Sequence, residues 1–377
     1  MSGSGAILVG VPREIKTDEF RVGLTPESVR EFVLRGHRLL VEAGAGEGIG
    51  ATDGHYEAAG ATIAEVEEIF SRSDLIVKVK EPQLAECRRL RRGQILYTYL
   101  HLASDLPQTE ALLASGVTAI AYETVTDAKG SLPLLAPMSE VAGRLSIQAA
   151  ARALERHAGG NGLLLGGVPG VQAARVVVIG GGVVGTQAAR MAVGLGAEVT
   201  IIDRSLPRLR ELDELFDGRV RTRPPTAAGL ETELAAADVV IGAVLVPGAA
   251  APKLVRREHL SLMRPGTVIV DVAIDQGGCF ETSHATTHSD PTYIVDGIIH
   301  YCVANMPGAV PRTSTIALNN ATVPVGLELA DRGLRALKEN VGLRAGLNVH
   351  LGHLTYGPVA DSLGLPHNRP EEMLAAA

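Results

Sequence analysis

Short apolar runs alternate with amphipathic stretches along the first third of the chain. The runs "AILVGVP", "HRLLVEAG" and "QILYTYLHLA" predict strands, whereas "TPESVREFVLRG" predicts a helix that Thr25 caps, that has Pro26 in its first turn and that ends at Gly36. Parallel strands need crossover connections, and helices between successive strands supply them. This part of the chain is therefore predicted to be an α/β domain with a parallel sheet.

A second series of strands and helices begins at residue 175. It contains the apolar runs "RVVVIGGG", "EVTIID", "ADVVIGAVL" and "TVIVDVAID", with helical stretches between them. A long helix rich in small residues, at about 139–160, precedes this series and connects it to the first. The end of the chain, 310–377, contains the helical stretch "TVPVGLELADRGLRALKEN" and no strand series of its own, which predicts that it packs back on the first domain.

The apolar run in "LIVKVKEP", residues 75–82, contains two lysines near its end. Successive side chains of a strand point to opposite faces, so Lys78 and Lys80 are predicted to share one face, and Val77 and Val79 the other. An ammonium group at the end of a buried strand reaches solvent, has a structural partner or faces an anionic or carbonyl ligand. The pattern alone leaves these alternatives open.

Composition and charge exclude several classes of protein. Tryptophan is absent, aromatic residues make up 3% and the net charge is -7, which argues against nucleic-acid binding. The cysteines, Cys87, Cys279 and Cys302, are scattered and odd in number, which is typical of a reducing cytoplasm and of neither a disulfide framework nor a zinc site. The sequence shows no signal peptide and no apolar stretch long enough to span a membrane, so we expect a cytoplasmic protein with no membrane partner.

The most informative motif is "VVVIGGGVVGTQAAR". Gly180, Gly182 and Gly185 form a G-x-G-x-x-G pattern that directly follows a strand and opens a helix. Glycines there permit a tight turn and close approach of a dinucleotide pyrophosphate to the helix N-terminus. Asp203 ends the next predicted strand, where an acidic residue binds the ribose hydroxyls and repels a 2′-phosphate. The motif predicts NAD binding in preference to NADP, and a structural turn without ligand is the alternative.

Polar residues near predicted strand ends are candidates for holding a substrate. Arg21 precedes a predicted helix, His101 follows an apolar run, and Asp271 and Asp275 lie in and after the strand of "VIVDVAIDQGGCF". Each also has an ordinary structural interpretation: a solvated arginine, a structural histidine, or an aspartate at a strand bend or turn. None of these residues is decisive by itself.

The chain resembles the alanine dehydrogenase family over essentially its whole length. The resemblance rests on long blocks in the family's order, among them "VGVPREIKTDEFRVGLTPESV", "LIVKVKEP", "LYTYLHLA", "LPLLAPMSEVAGRLS", "VDVAIDQGGCFETS" and "YCVANMPGAVPRTST". It implies two doubly wound Rossmann-like domains with an active-site cleft between them, and the reversible oxidation of L-alanine by NAD to pyruvate and ammonium. It also implies a homo-oligomer, commonly a hexamer.

The resemblance gives the candidate residues roles. Arg21 matches the arginine that holds the substrate carboxylate, Lys80 the substrate-binding lysine, and His101 and Asp275 the catalytic pair. Met138 and Asn305 match positions that line the pyruvate pocket. The positions that match NAD contacts, in addition to the glycines of the motif, are Ser139, Val183, Val184, Asp203, Arg208, Val244, Leu245, Val272, Ala273, Ile274, Asp275, Val303, Ala304, Asn305 and Met306. No metal site is predicted, because Arg332 stands where some relatives place a histidine one turn from Glu328.

The resemblance also implies the domain boundaries. Residues 1–133 and 312–377 are predicted to form a discontinuous substrate domain, and residues 134–311 the NAD-binding domain. In this arrangement Lys80 stabilises a developing oxyanion. His101 and Asp275 move protons, and the sequence leaves open which residue moves which proton.

Three other functions compete with this interpretation. The NAD-binding subunit of a transhydrogenase has the same fold and a similar "VGVPRE" opening, but that family lacks the equivalent of "LHLA". A saccharopine-type or lysine-type dehydrogenase has a larger substrate pocket. A catalytically inactive NAD-binding protein has no need of Arg21, Lys80, His101 and Asp275 together.

Overall fold

The protein forms two sheets, and each sheet belongs to its own compact unit. The computed structural model describes residues 5–244 and 251–375. One unit contains the chain up to Met138 and again from Val310, and the other contains Ser139–Ala309. The sequence-based boundaries at 133/134 and 311/312, with the roles given to the two domains, stay predictions.

The chain up to residue 153 contains, in order, β1 (Leu8–Val11), α1 (Pro26–Leu34), β2 (Arg38–Glu42), α2 (Asp53–Ala58), β3 (Thr62–Ala64), α3 (Val66–Arg72), β4 (Leu75–Val77), α4 (Leu84–Cys87), β5 (Ile95–Thr98), α5 (Leu106–Ser115), β6 (Thr118–Ala121) and α6 (Ala136–Ala153). The second unit continues with β7 (Arg175–Ile179), α7 (Val183–Gly194), β8 (Glu198–Ile202), α8 (Leu206–Phe216), β9 (Val220–Arg223), α9 (Ala227–Ala236), β10 (Val239–Gly242), β11 (Val268–Asp271), β12 (Thr292–Val295) and β13 (Ile298–Tyr301). The chain then returns to the first unit with α10 (Pro311–Arg332), α11 (Leu334–Glu339), α12 (Val341–Arg344), β14 (Leu347–His350), β15 (His353–Leu354), α13 (Gly357–Leu363) and α14 (Pro370–Ala375).

Both sheets have the strand order of a doubly wound fold. In the first sheet the order is β15-β14-β6-β5-β4-β1-β2-β3, and neighbours from β3 through β1 to β6 are parallel. In the second the order is β12-β13-β11-β10-β7-β8-β9, and only the β12–β13 pair is antiparallel among the described strands. The predicted fold class is confirmed. In such sheets ligands bind beyond the carboxyl ends of the strands, so the segments that follow these strands are where a site is expected.

The tail of the chain packs on the first unit as predicted, but the prediction that it adds no strands is wrong. Strand β14 extends the first sheet by pairing antiparallel with β6, and β15 pairs with β14. Strand β14 contains the polar residues Asn348 and His350, and β15 has only two residues, so neither stands out as an apolar run. Helix α10 is attached through Asn319, whose side chain accepts hydrogen bonds from the Thr25 amide at 2.8 Å and from the Ser28 hydroxyl at 2.7 Å.

The start and end of α1 follow the sequence signals. The Thr25 hydroxyl accepts a hydrogen bond from the Ser28 amide at 3.2 Å, and Gly36 adopts a left-handed φ of 88° beyond the last turn. The predicted helix at 139–160 is instead α6, which starts earlier and ends at Ala153. It ends there because the chain folds back: the Leu154 carbonyl accepts from the Gly162 amide at 2.9 Å.

No helix in the described part of the chain is long and apolar enough to cross a membrane.

Candidate active site

The carboxyl edge of the first sheet brings together three of the predicted site residues. Arg21 lies between β1 and α1, Lys80 follows β4, and His101 follows β5. Tyr99 connects His101 and Arg21, because its ring is parallel to that of His101, with ring centroids 5.7 Å apart, and its hydroxyl interacts electrostatically with Arg21. Glu81 interacts electrostatically with both Lys80 and His101. These groups therefore form one cluster of polar side chains at the expected end of the sheet.

Arg21 is a buried and tightly held guanidinium, only 2% exposed. Its Nε and one terminal nitrogen donate to the two oxygens of Glu19, at 2.7 and 2.5 Å, and its other terminal nitrogen contacts the Met138 sulfur at 3.0 Å. Burial alone would lower the pKa of Arg21, but the hydrogen bonds and charge of Glu19 outweigh it and raise that pKa. The positive charge is thus permanent and its orientation is fixed.

The two lysines of "LIVKVKEP" have different surroundings. Lys78 is fully buried, and its ammonium donates to Glu14 at 3.1 Å and to Glu86 at 2.8 Å. Burial alone would lower the pKa of Lys78, but the two carboxylates outweigh it and raise that pKa. Lys80 is 7% exposed, and the described residues provide no hydrogen bond to its ammonium. Lys78 is therefore a structural cation, whereas the Lys80 ammonium can bind a ligand.

Strand β4 ends at Val77, earlier than the apolar pattern predicts. Beyond that point Oε1 of Glu14 accepts hydrogen bonds from the amides of Val79, at 2.6 Å, and Lys80, at 3.4 Å. A side chain has replaced the neighbouring strand as the hydrogen-bond acceptor, because β1 ends at Val11. The strict alternation of faces predicted for Lys78 and Lys80 does not apply outside the strand.

His101 has a strained backbone and a half-exposed side chain. Its φ is 50°, in the left-handed region, and its side chain is 40% exposed. A Glu123 oxygen accepts from the amides of Leu100, at 3.1 Å, and His101, at 2.7 Å, and lies 3.9 Å from Nδ1 of the ring. A non-glycine residue in this region costs about 1 to 3 kcal/mol and persists where its surroundings hold it. Glu123 is the group that holds it here.

Glu81 is a buried carboxylate within the same cluster. One of its oxygens accepts a hydrogen bond from the Lys16 ammonium, and the other is buried without a partner in the described structure. Burial alone would raise the pKa of Glu81, but its electrostatic interactions with Lys80, His101 and Lys16 outweigh burial and lower that pKa. The Glu81 carboxylate therefore stays ionised, and its negative charge balances the positive charges beside it.

The glycine motif of the second unit divides into two structural glycines and one that the protein itself does not require. Gly180 has a φ of 104°, and a Cβ there would lie 2.5 Å from the Ala243 carbonyl oxygen. A Cβ on Gly185 would lie 1.8 Å from the Gly180 carbonyl oxygen. Gly182 has an ordinary φ of -70°, and a Cβ there would meet no atom within 4 Å. The open space at Gly182, before the N-terminus of α7, fits the approach of a dinucleotide pyrophosphate.

Asp203 and Arg208 bind the glycine loop. Asp203, directly after β8, accepts from the Gly181 amide at 2.7 Å and from the Ser205 amide at 2.8 Å. Arg208 donates to the Gly181 carbonyl and to the Thr186 hydroxyl, both at 2.8 Å. The loop is thus fixed at Gly181. Asp203 stands at the strand end where a ribose is expected, and the cofactor contact predicted for Arg208 stays a prediction.

The aspartate that ends β11 and the one that follows it have different environments. Asp271 is fully buried and accepts from the amides of Ala273, at 3.1 Å, and Cys279, at 2.9 Å. Burial raises the pKa of Asp271, and hydrogen bonds from the Ser283 side chain and from the Phe280 and Cys279 amides partly oppose that increase. Asp275 is exposed and accepts from the Asn305 amide at 3.2 Å. Asp271 is a structural residue, and Asp275 is the aspartate that a ligand can reach.

Most of the other predicted cofactor positions of the second unit follow its parallel strands. Asn305 has a left-handed φ of 60°, and its carbonyl accepts from His288 at 3.2 Å. Ser139 lies in α6, and Leu245 lies outside the described residues. The positions that follow β10, β11 and β13 are Val244, Val272, Ala273, Ile274, Val303, Ala304 and Met306. They lie at the same sheet edge as the glycine loop.

Sequence reasoning missed four glutamates of the first cluster. Glu14, Glu19, Glu81 and Glu123 are mostly buried and hold the residues that it identified. Three of them occur inside the blocks "VGVPREIKTDEFR" and "LIVKVKEP", but an isolated glutamate usually reads as a solvated surface residue. The sequence signal that could have identified Glu14, Glu19 and Glu81 is that they lie within a few residues of Arg21 or Lys80 in the chain.

Comparison with known proteins now decides the family. Models of the "Alanine dehydrogenase/PNT" family match the chain with their N-terminal domain at residues 10–142 and their C-terminal domain at residues 146–357. The chain belongs to the alanine dehydrogenase/PNT family. Membership confirms the predicted family and its enzyme class, an oxidoreductase that uses a nicotinamide cofactor.

Individual relatives resemble the chain over nearly its full length. The alanine dehydrogenase of Halomonas elongata is 60% identical over 95% of this chain and 97% of its own. A solved structure of an L-alanine dehydrogenase has a TM-score of 0.92 at 53% identity, over 95% of this chain and 99% of its own. A transhydrogenase from Sinorhizobium meliloti has a TM-score of 0.80 at 26% identity, over 93% of this chain and 99% of its own. The similarity is greater to the alanine dehydrogenases.

The motif glycines give a matched pair of substitutions. Gly182→Ala should leave the thermal midpoint near that of the unmodified protein but weaken NADH binding about tenfold, because the added methyl group occupies ligand space only. Gly185→Ala should lower the thermal midpoint, since its Cβ collides with the Gly180 carbonyl. Calorimetry and NADH titration measure both effects. Unchanged NADH affinity in Gly182→Ala would contradict a pyrophosphate site at this glycine.

Proposed function

We propose that this chain is an NAD-dependent alanine dehydrogenase, which interconverts L-alanine and pyruvate with ammonium. The observation that carries the proposal is the cluster at the carboxyl edge of the first sheet. It combines a permanently charged guanidinium, a nearly buried ammonium without a hydrogen bond in the described structure, and a half-exposed imidazole. The similarity to alanine dehydrogenases supports the choice of L-alanine as the substrate.

NAD is the proposed cofactor, and the loop after β7 is its proposed site. The amides at the start of α7 would bind the pyrophosphate, and the Asp203 carboxylate would accept from the ribose hydroxyls. The same carboxylate would repel a 2′-phosphate, which favours NAD over NADP. Ser139, Arg208 and the segments that follow β10, β11 and β13 would complete the site.

The substrate carboxylate is proposed to bind Arg21. Glu19 fixes the plane of the guanidinium, so a bound carboxylate would be oriented before the reaction begins. Met138, at 3.0 Å from the guanidinium, would line the pocket beside the substrate. Asn305, whose backbone amide donates a hydrogen bond to Asp275, is the other residue proposed to line the pocket.

Proton movement is proposed to depend on Lys80, His101 and Asp275. NAD bound at the proposed site would supply the hydride acceptor for the oxidation of alanine at its Cα atom, which gives iminopyruvate. Water adds to the imine, and the resulting carbinolamine loses ammonia to give pyruvate. Lys80 stabilises the oxygen that develops negative charge, while His101 and Asp275 exchange protons with that oxygen, the attacking water and the amine.

The resemblance to the family also supports a homo-oligomer, specifically a hexamer, in the cytoplasm. Light scattering of the purified protein would measure the mass of the assembly. The catalytic proposal itself is tested by following NADH formation from NAD and L-alanine at alkaline pH. Absence of turnover with L-alanine, in a protein that binds NADH, would reject it.

Lys80→Ala and His101→Ala should each lower turnover about a hundredfold or more, because each removes a group that acts on the reacting atoms. NADH affinity should stay the same, since these residues belong to the first unit, whereas the proposed cofactor site belongs to the second. Steady-state kinetics and NADH titration separate the two effects. Near-normal turnover in either variant would remove that residue from the catalytic machinery.

Asp203→Ala should reduce the discrimination between NAD and NADP about tenfold or more, because the repulsion of the 2′-phosphate is lost. Asp203→Asn is the matched variant, as it removes the charge but retains an oxygen for the Gly181 amide. The ratio of kcat/KM for the two cofactors is the measurement. An unchanged ratio in both variants would place the ribose elsewhere.

A further inference from the structure

Lys80 lies in a segment that extends beyond the end of strand β4, so contacts outside the regular sheet must fix the course of its backbone. Its carbonyl accepts from the Thr98 hydroxyl at 2.9 Å, and the Val79 carbonyl accepts from the Tyr99 amide at 3.2 Å. These contacts come from the β5 side only. On the β1 side the sheet has ended, and backbone amides there need another acceptor.

Glu14 supplies that acceptor. Its Oε1 accepts from Val79 at 2.6 Å and, at a longer 3.4 Å, from Lys80. Its Oε2 accepts from the Lys78 ammonium at 3.1 Å. One carboxylate therefore holds three consecutive residues, 78–80. Glu14 itself is buried, with 7% of its surface exposed.

We propose that Glu14 is a positioning residue for Lys80: its carboxylate replaces the missing strand partner and fixes the position from which the Lys80 ammonium meets the substrate. This inference rests on the proposed function, in which Lys80 binds the substrate. Glu14 acts through the backbone of Lys80 and is not itself a catalytic residue. A shift of about 1 Å in a substrate-binding group can cost about a hundredfold in rate, so the fixing of this segment matters for catalysis.

The charges around Glu14 favour this arrangement above neutral pH. Burial raises the pKa of Glu14 to about 7, with Lys78 opposing the increase and Glu19 and Glu86 adding to it. Arg21, Tyr122 and Glu42 also interact electrostatically with Glu14 or with its partners. Above neutral pH, where alanine oxidation is assayed, the carboxyl is ionised and accepts its strongest hydrogen bonds.

Glu86 provides a matched control. It is buried and binds the same Lys78 ammonium, at 2.8 Å, but its other oxygen accepts from the Gln83 amide rather than from Val79 or Lys80. Glu14→Gln and Glu86→Gln each remove the negative charge of one of the two carboxylates that bind the Lys78 ammonium. Only the first changes the acceptor of the segment that leads to Lys80. A purely structural role of the ion cluster predicts the same effect for both.

The experiment measures kcat and KM for pyruvate, NADH affinity, thermal midpoint and hydrogen–deuterium exchange in both variants of the full protein. In Glu14→Gln we expect kcat/KM for pyruvate to fall about tenfold to a hundredfold. NADH affinity should be unchanged, and the amides of Val79 and Lys80 should exchange faster. In Glu86→Gln we expect kcat/KM near the unmodified value, with faster exchange at Gln83.

Equal kinetic losses in the two variants would overturn the proposal, as would faster exchange in Glu14→Gln with unchanged kcat/KM. If Glu14→Gln does not fold, Glu14→Asp takes its place, because it keeps the charge but is too short for both sets of contacts. Normal kcat/KM in Glu14→Asp would likewise overturn the proposal. If the unmodified protein shows no turnover with pyruvate, the proposed function fails, and the exchange rates still decide whether Glu14 holds the segment.

Discussion

Carboxylates that accept hydrogen bonds from backbone amides hold several of the segments that carry candidate site residues. A parallel sheet leaves amides without strand partners where its strands end, and buried amides require acceptors. In the first unit Glu14 accepts from Val79 and Glu123 accepts from His101. In the second unit Asp203 accepts from the Gly181 amide. Asp271, at the end of β11, accepts from the Cys279 amide, and Asp275, beyond that end, accepts from the Asn305 amide. Each carboxylate fixes a loop at the sheet edge where ligands bind.

This constraint explains how neighbouring residues of the same type come to differ in role. Lys78 is neutralised by two buried carboxylates, whereas Lys80, two residues later, presents an ammonium without a hydrogen bond in the described structure. Asp271 is fully buried and held by amides, whereas Asp275 is exposed. In each pair one member builds the loop, and the other is the member to which the proposed function gives a role in the chemistry.

Sequence alone predicted the fold class, the cap of α1 and the glycine loop, because apolar periodicity, capping residues and glycine spacing are local signals. The early end of β4 and the strands β14 and β15 escaped prediction. The first depends on Glu14, which is 65 residues from Val79 in the chain, and the others are short strands at a sheet edge. Contacts over such separations have no periodic signature. The roles of Arg21, Lys80, His101 and Asp275, which residue types alone had left undecided, were predicted from the resemblance to the family and stay predictions.

In the proposed function, Arg21, Lys80, His101 and Asp275 act on one substrate beside one nicotinamide. The decisive measurement is a crystal structure of the protein with NADH and pyruvate. We expect the pyruvate carboxylate on Arg21 and its carbonyl oxygen within about 3 Å of Lys80 or His101, with the nicotinamide ring against the same carbon. Pyruvate bound away from these side chains, or a nicotinamide ring distant from them, would contradict it.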